Sequence, residues 1–188
     1  MDITLNKQYP IGIAPRDAWQ ILADIPATTA CLPGAEIESQ TGEKSFKGLL
    51  RCKIGPASIN FSGIVEIIQL NASDYSLELM ARGNDNSGSL ASMHLQVRIK
   101  PHETTTMAVL EGVAKISISG KLAQFGSRMI NPVADSMIDK FIRNLEQKAQ
   151  QNPPKEPESQ SLNLLAIFWE SIQRMFASVF SRKKPGPQ

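Results

Sequence analysis

Between Asp2 and Ile13 apolar and polar side chains roughly alternate, with Ile3, Leu5, Tyr9 and Ile11 on one parity, which is the period of a strand. The pattern changes at "APRDAWQILAD". Pro15 suits a first helical position, Asp17 lies in the first turn where negative charge is favoured, and Ala18, Trp19, Ile21, Leu22 and Ile25 make an apolar face. A further helical turn through "ATTACL" ends at Pro33, which cannot continue it. The short period then returns. It predicts strands near Glu36–Gln40, Ser45–Ile54, Ala57–Leu70, Ser76–Arg82, Ser92–Lys100 and Thr104–Ser119. The breaks "TGEK", "GP", "NASD", "GNDNSGS" and "PHE" are turn chemistry at hairpin spacing, so the sheet is expected to be antiparallel. In "SMHLQVRIK" the alternation is clearest: Met93, Leu95, Val97 and Ile99 face one way, His94, Gln96, Arg98 and Lys100 the other.

The run from Lys121 to Gln151 reads as a long helix, with Ile130, Val133, Ala134, Met137, Phe141 and Leu145 on one stripe. Asp135, Asp139, Arg143 and Glu146 lie opposite, and Pro132 is expected to kink or restart it. A sheet with one dry face and a helix with one dry stripe must cover each other. The predicted architecture is α+β, a helix-grip fold in which a curved antiparallel sheet wraps a long C-terminal helix. Such folds commonly leave an apolar cavity between sheet and helix, a default ligand site. Its candidate walls are Phe61, Met93, Leu95 and Val97 from the sheet and Ile130, Val133, Ala134, Met137 and Phe141 from the helix. Methionines line permissive pockets and also fill ordinary cores, and the pattern leaves both roles open for Met93 and Met137.

Charge adds an exclusion. Met1 to Lys148 carries 15 Lys and Arg against 15 Asp and Glu, and such a neutral body argues against a nucleic-acid partner. The two cysteines, Cys31 and Cys52, make no disulfide framework, and with only His94 and His102 a metal centre has few ligands. His94 falls on the polar parity of its strand, and His102 sits in a turn. No nucleophile–base pair or phosphate loop is apparent, so neither catalytic residues nor a covalent cofactor are expected. The N-terminus has no charged region followed by an apolar one, so the body is expected to be cytoplasmic with reduced thiols.

A second apolar helix follows. Residues 149–160 are polar and proline-rich, a linker reaching about 35 Å after a domain of residues 1–148. In residues 161–184, Leu165, Phe168, Trp169, Ile172, Phe176, Val179 and Phe180 share an arc of about 120°. Arg182, Lys183 and Lys184 follow, so the segment predicts a helix in the interface of an anionic membrane surface. A spanning helix would place Glu170 and Arg174 near mid-bilayer, at roughly 2.5–3.5 kcal/mol each. Docking on a partner, or folding back as a lid over the cavity, would use the same stripe.

Several segments in order also carry a resemblance. "APRDAWQILAD" with "CLPGAE" is similar to the opening of the START-like (SRPBCC) superfamily. "KIGPASINFSGIVEI" followed by "GKLAQFGSRMI" resembles the CoxG family of carbon monoxide dehydrogenase subunits, and the likeness covers roughly Met1 to Lys148. The resemblance implies a non-catalytic accessory protein of a molybdenum-containing dehydrogenase, with a cavity for a hydrophobic small molecule. A respiratory quinone or similar isoprenoid lipid is the expected ligand, and peripheral attachment to the inner face of the cell membrane is the expected location.

Overall fold

The computed structural model describes residues 1–151. Chain order runs β1 (Asp2–Ile11), α1 (Pro15–Ala23), α2 (Ile25–Cys31), β2 (Ala35–Gly42), β3 (Ser45–Ile54), β4 (Ala57–Asn71), β5 (Ser76–Asp85), β6 (Leu90–Pro101), β7 (Ala108–Ser119), a 3-10 turn (Gly120–Phe125) and α3 (Gly126–Gln151). The seven strands form one sheet in the order β1-β7-β6-β5-β4-β3-β2, antiparallel at every pairing. Strands β2 to β7 are joined in sequence as hairpins, and β1 closes the sheet against β7. This is the helix-grip, START-like architecture.

Each inward side chain obeys the period of two. Ile3, Leu5 and Ile11 of β1, Phe46 and Ile54 of β3, Ile59 and Ile67 of β4, Leu77 of β5, Val97 and Ile99 of β6 and Ala108, Leu110, Ala114 and Ile118 of β7 are all buried. Most of the remaining wall is α3, held at its C-terminal half by α1 and α2. Pro15 starts α1, and the Asp24 carboxylate accepts from Ala27 N–H at 2.9 Å to cap α2. Asn144 Nδ2 donates to Cys31 O at 2.8 Å, and Gly12 N–H donates to Glu146 Oε1 at 2.6 Å. Trp19 stacks on Tyr75 at 5.7 Å between centroids, tying α1 to the β4–β5 turn. The N-terminal half of α3 is reached through the 3-10 turn, where Leu122 N–H donates to Ser89 Oγ at 3.2 Å.

Two expectations need correction. The last strand starts at Ala108, not Thr104, because Thr104 N–H turns back to His102 Nδ1 and Met107 N–H to Thr105 Oγ1, local bonds that compete with the ladder. The long helix is divided: Gly126, at φ 67°, separates the 3-10 turn from α3. Beyond it α3 runs through Pro132 to Gln151 as one element with no restart.

Candidate functional site

The fully buried side chains fall into two groups. One joins Ile142 and Leu145 of α3 to Trp19, Leu22, Cys31, Phe46, Leu77, Val97 and Ile99. The other joins Ile130 and Leu122 to Ile3, Leu5, Ile54, Ile59, Ala114 and Ile118. Between them the inward face is apolar but only partly covered. Leu50, Phe61, Val65, Leu79, Ala81, Met93 and Leu95 from the sheet keep some solvent access. So do Val133, Ala134, Met137, Ile138 and Phe141 from the middle of α3. Leu95 touches both groups. The cause is the path of the helix: α3 approaches β1 and β3, on opposite sides of the sheet, more closely than the strands between them. The inward side chains between these two approaches stay partly accessible, and this partly covered belt is the candidate cleft.

The floor is shaped by glycines in register. Gly48 pairs with Gly63, Gly63 with Gly83, and Gly83 with Ala91, a row across β3, β4, β5 and β6. A Cβ at Gly63 would lie 2.2 Å from Arg82 O and 2.7 Å from Gly83 Cα, and one at Gly48 would lie 2.5 Å from Glu36 O. Only glycine permits that approach of neighbouring backbones, and glycines within strands mark sharp bends. The row also removes side chains from the floor where the cleft needs room.

One flank of the cleft is polar. Lys7 and Tyr9 share the inward parity of Leu5 and Ile11 on β1, and Lys7 pairs with Gly112, which offers no side chain to cover it. Lys7 Nζ lies 2.8 Å from Asp135 Oδ1 of α3, close for an ion pair but poorly aligned for a hydrogen bond. The Asp135 carboxylate raises the Lys7 pKa. Burial raises the Tyr9 pKa, with the negative charge of Asp135 adding to it, so the phenol stays neutral. One turn before Asp135, Asn131 Oδ1 is buried with no hydrogen-bond partner among the described residues.

Of the expected wall residues, Phe61, Met93, Leu95, Val133, Ala134 and Phe141 border the partly covered zone. Val97 (8% exposed) and Ile130 (7%) instead belong to the closed groups, since strand parity and helical stripe report a face but not a depth. Met137 is partly exposed and packs against neither group. The inward stripe of α3 is turned toward Ile138 and Ile142, which the periodicity passed over. Lys7 and Asn131 were missed as well, although Lys7 sits on the same parity as the β1 core residues. The tail candidates Leu165, Phe168, Trp169, Ile172, Phe176, Val179, Phe180, Arg182, Lys183 and Lys184 lie outside the described residues.

His94 points outward, 2.5 Å from Glu78 Oε1, and burial raises the thiol pKa of both Cys31 and Cys52. No three His, Cys, Asp or Glu side chains among the described residues are grouped to hold a metal ion. Two hollows, about 810 and 590 Å³, lie on the outer face of the sheet. The larger is lined by Ser62, Ile64, Glu66, Met80, Arg82 and Leu90 among others. Neither includes a residue of α3, so both have one sheet face and no opposing layer. No helix among the described residues is long and apolar enough to cross a membrane.

Residues 8–150 match the family model for the CoxG subunits of carbon monoxide dehydrogenase. No curated protein gave a sequence match. Among solved structures, a conserved protein from Geobacillus kaustophilus superposes with a TM-score of 0.71 at 18% identity, over 80% of this chain and 97% of that one. The ZhuI aromatase/cyclase from Streptomyces sp. R1128 gives 0.53 at 9% identity, covering 82% and 97%. Ara h 8.0201 gives 0.55 at 10% identity, covering 81% and 100%. At these identities the likeness establishes a shared fold.

Proposed function

Because the chain belongs to the CoxG family of carbon monoxide dehydrogenase subunits, we propose that it is a non-catalytic accessory protein of a molybdenum-containing dehydrogenase, carrying a hydrophobic ligand in the cleft under α3. The proposed ligand is a respiratory quinone or a similar isoprenoid lipid. Its tail is insoluble in water, and a carrier with an apolar cleft lets it meet an enzyme outside the bilayer. Each Å² of tail buried contributes about 25 cal/mol before the cost of ordering. The amphipathic segment 161–184 would hold the protein at an anionic membrane surface, where the electron acceptor resides.

The single observation that carries this reading is the belt of inward-facing apolar side chains, Phe61, Met93 and Leu95 opposite Val133, Ala134 and Phe141, that remains partly open between two sealed groups. It supports a ligand site because apolar surface left accessible gains by being covered. Mass spectrometry of lipids co-purifying with the full-length protein, followed by titration with a long-chain quinone, tests it. A one-to-one complex supports the carrier. Absence of both bound lipid and quinone affinity refutes it.

A second reading is a recruitment scaffold that needs no ligand. It is favoured by Ile64 (45% exposed) and Leu90 (58%), apolar side chains at the larger outer hollow that a protein partner would cover. Recovery of the dehydrogenase by a quinone-free protein, lost in the Leu90→Asp variant, would favour the scaffold.

A further inference from the structure

An apolar cleft holds a tail but does not orient a ring. Asn131 lies one turn before Asp135 on α3, beside the arc of Ile130 and Ala134 that packs on the sheet, and its Oδ1 is buried although the residue as a whole is only partly so. A polar residue on a core-facing arc ordinarily finds a protein partner, and a buried unpaired oxygen calls for an explanation. The Asn131 Oδ1 has none among the described residues, and Asp135 one turn on, with Lys7 and Tyr9 on the inward parity of β1, adds polar groups on this side of α3.

We propose that this seam between β1 and α3, centred on Asn131, is the head-group subsite of the cleft, binding the ring oxygen of an amphiphilic ligand whose tail lies against the apolar belt. The proposal rests on the ligand-carrier reading above and adds where the ligand's polar end sits. The chemistry of an amide suits both redox forms of a quinone. Its oxygen accepts a hydrogen bond from a quinol hydroxyl, and, with the amide turned over, its NH₂ donates to a quinone carbonyl. Lys7 and Tyr9 contribute further donors at the same flank. Asp135, 2.8 Å from the Lys7 ammonium, pairs with it at this flank. Toward the sheet α3 offers only the apolar Val133, Ala134 and Phe141, which sets the direction in which the ligand lies.

Two probes of equal tail length separate the subsite from the cleft: decylubiquinone, with ring oxygens, and decylbenzene, without them. The full-length protein is expected to bind decylubiquinone at least tenfold more tightly, a difference of about 1.4 kcal/mol. Asn131→Leu, similar in size and apolar, should abolish that preference while leaving decylbenzene affinity within about twofold. Equal binding of the two probes by the unmodified protein would leave the cleft as a ligand site and refute the subsite. A preference that survives in Asn131→Leu would refute it too. If neither probe binds, the carrier reading fails and the subsite falls with it. Side-chain amide resonances of the unmodified protein, labelled at asparagine, make the test independent of the variant's folding. The Asn131 signal must shift with decylubiquinone and not with decylbenzene, and a signal that ignores both overturns the proposal.

Discussion

Replacing Gly63 by alanine adds one methyl group at the place where β4 and β5 come closest. The new Cβ would meet Arg82 O at 2.2 Å, Gly83 Cα at 2.7 Å and the Arg82 carbonyl carbon at 2.9 Å, all backbone atoms of the neighbouring strand. No flexible side chain can move aside. Reaching ordinary contact requires the strands to separate by roughly 1 Å, which strains the β4–β5 ladder and flattens the bend. Overpacking of this kind costs about 1–3 kcal/mol, and a backbone clash places Gly63→Ala toward the upper end. Gly112→Ala is the internal control: its Cβ would have Gln96 O as nearest neighbour at 4.0 Å, and alanine restricts the unfolded chain more than glycine does. That variant should be neutral or more stable by up to about 1 kcal/mol. Urea denaturation followed by circular dichroism compares the two variants directly. If Gly63→Ala falls within about 0.5 kcal/mol of Gly112→Ala, the glycine row does not set the curvature of the floor.

Ala134→Phe should occupy the cleft, abolishing quinone binding while shifting stability by less than the roughly 1–3 kcal/mol typical of an overpacked core; a large loss of stability would mean the space under α3 is already filled. Asp85 is buried at 5% exposure; burial alone would push its carboxyl up, but hydrogen bonds from Ser87 and Ser89 hold it below the usual range. A lowered carboxyl stabilises the fold above its unfolded pKa of about 3.9 and loses that contribution as pH falls through the folded value. Unfolding midpoints of the wild type and Asp85→Asn should therefore differ at pH 7 and converge in acid, and a gap that is constant with pH would sink this assignment. Binding of the full-length protein to vesicles should rise with anionic lipid, weaken with salt, and drop in Trp169→Asp; salt-independent binding to neutral vesicles would point to a purely hydrophobic anchor.

The period-two runs and the late helical stripe determined the architecture, because parity and helical spacing follow from local backbone geometry alone. Met93, Leu95, Val97 and Ile99 face inward together, as their alternation requires. Chain order also settled which elements exist, since turn residues such as Gly55 and Gly88 act where they stand. What lay beyond local geometry was distance between elements. Val97 and Leu95 share a face, yet one is closed over and the other partly open, because α3 crosses near β1 and β3 and bridges the strands between. Gly48, Gly63 and Gly83 are scattered in sequence and become a single row only when strand register aligns them. Lys7 and Asp135, distant in sequence, meet at one seam only through the closure of β1 on β7 and the return of α3 across the sheet. Periodicity assigns a residue to a face, whereas depth, curvature and polar partners depend on how the layers are spaced, and that spacing is decided only when the whole sheet folds around its helix.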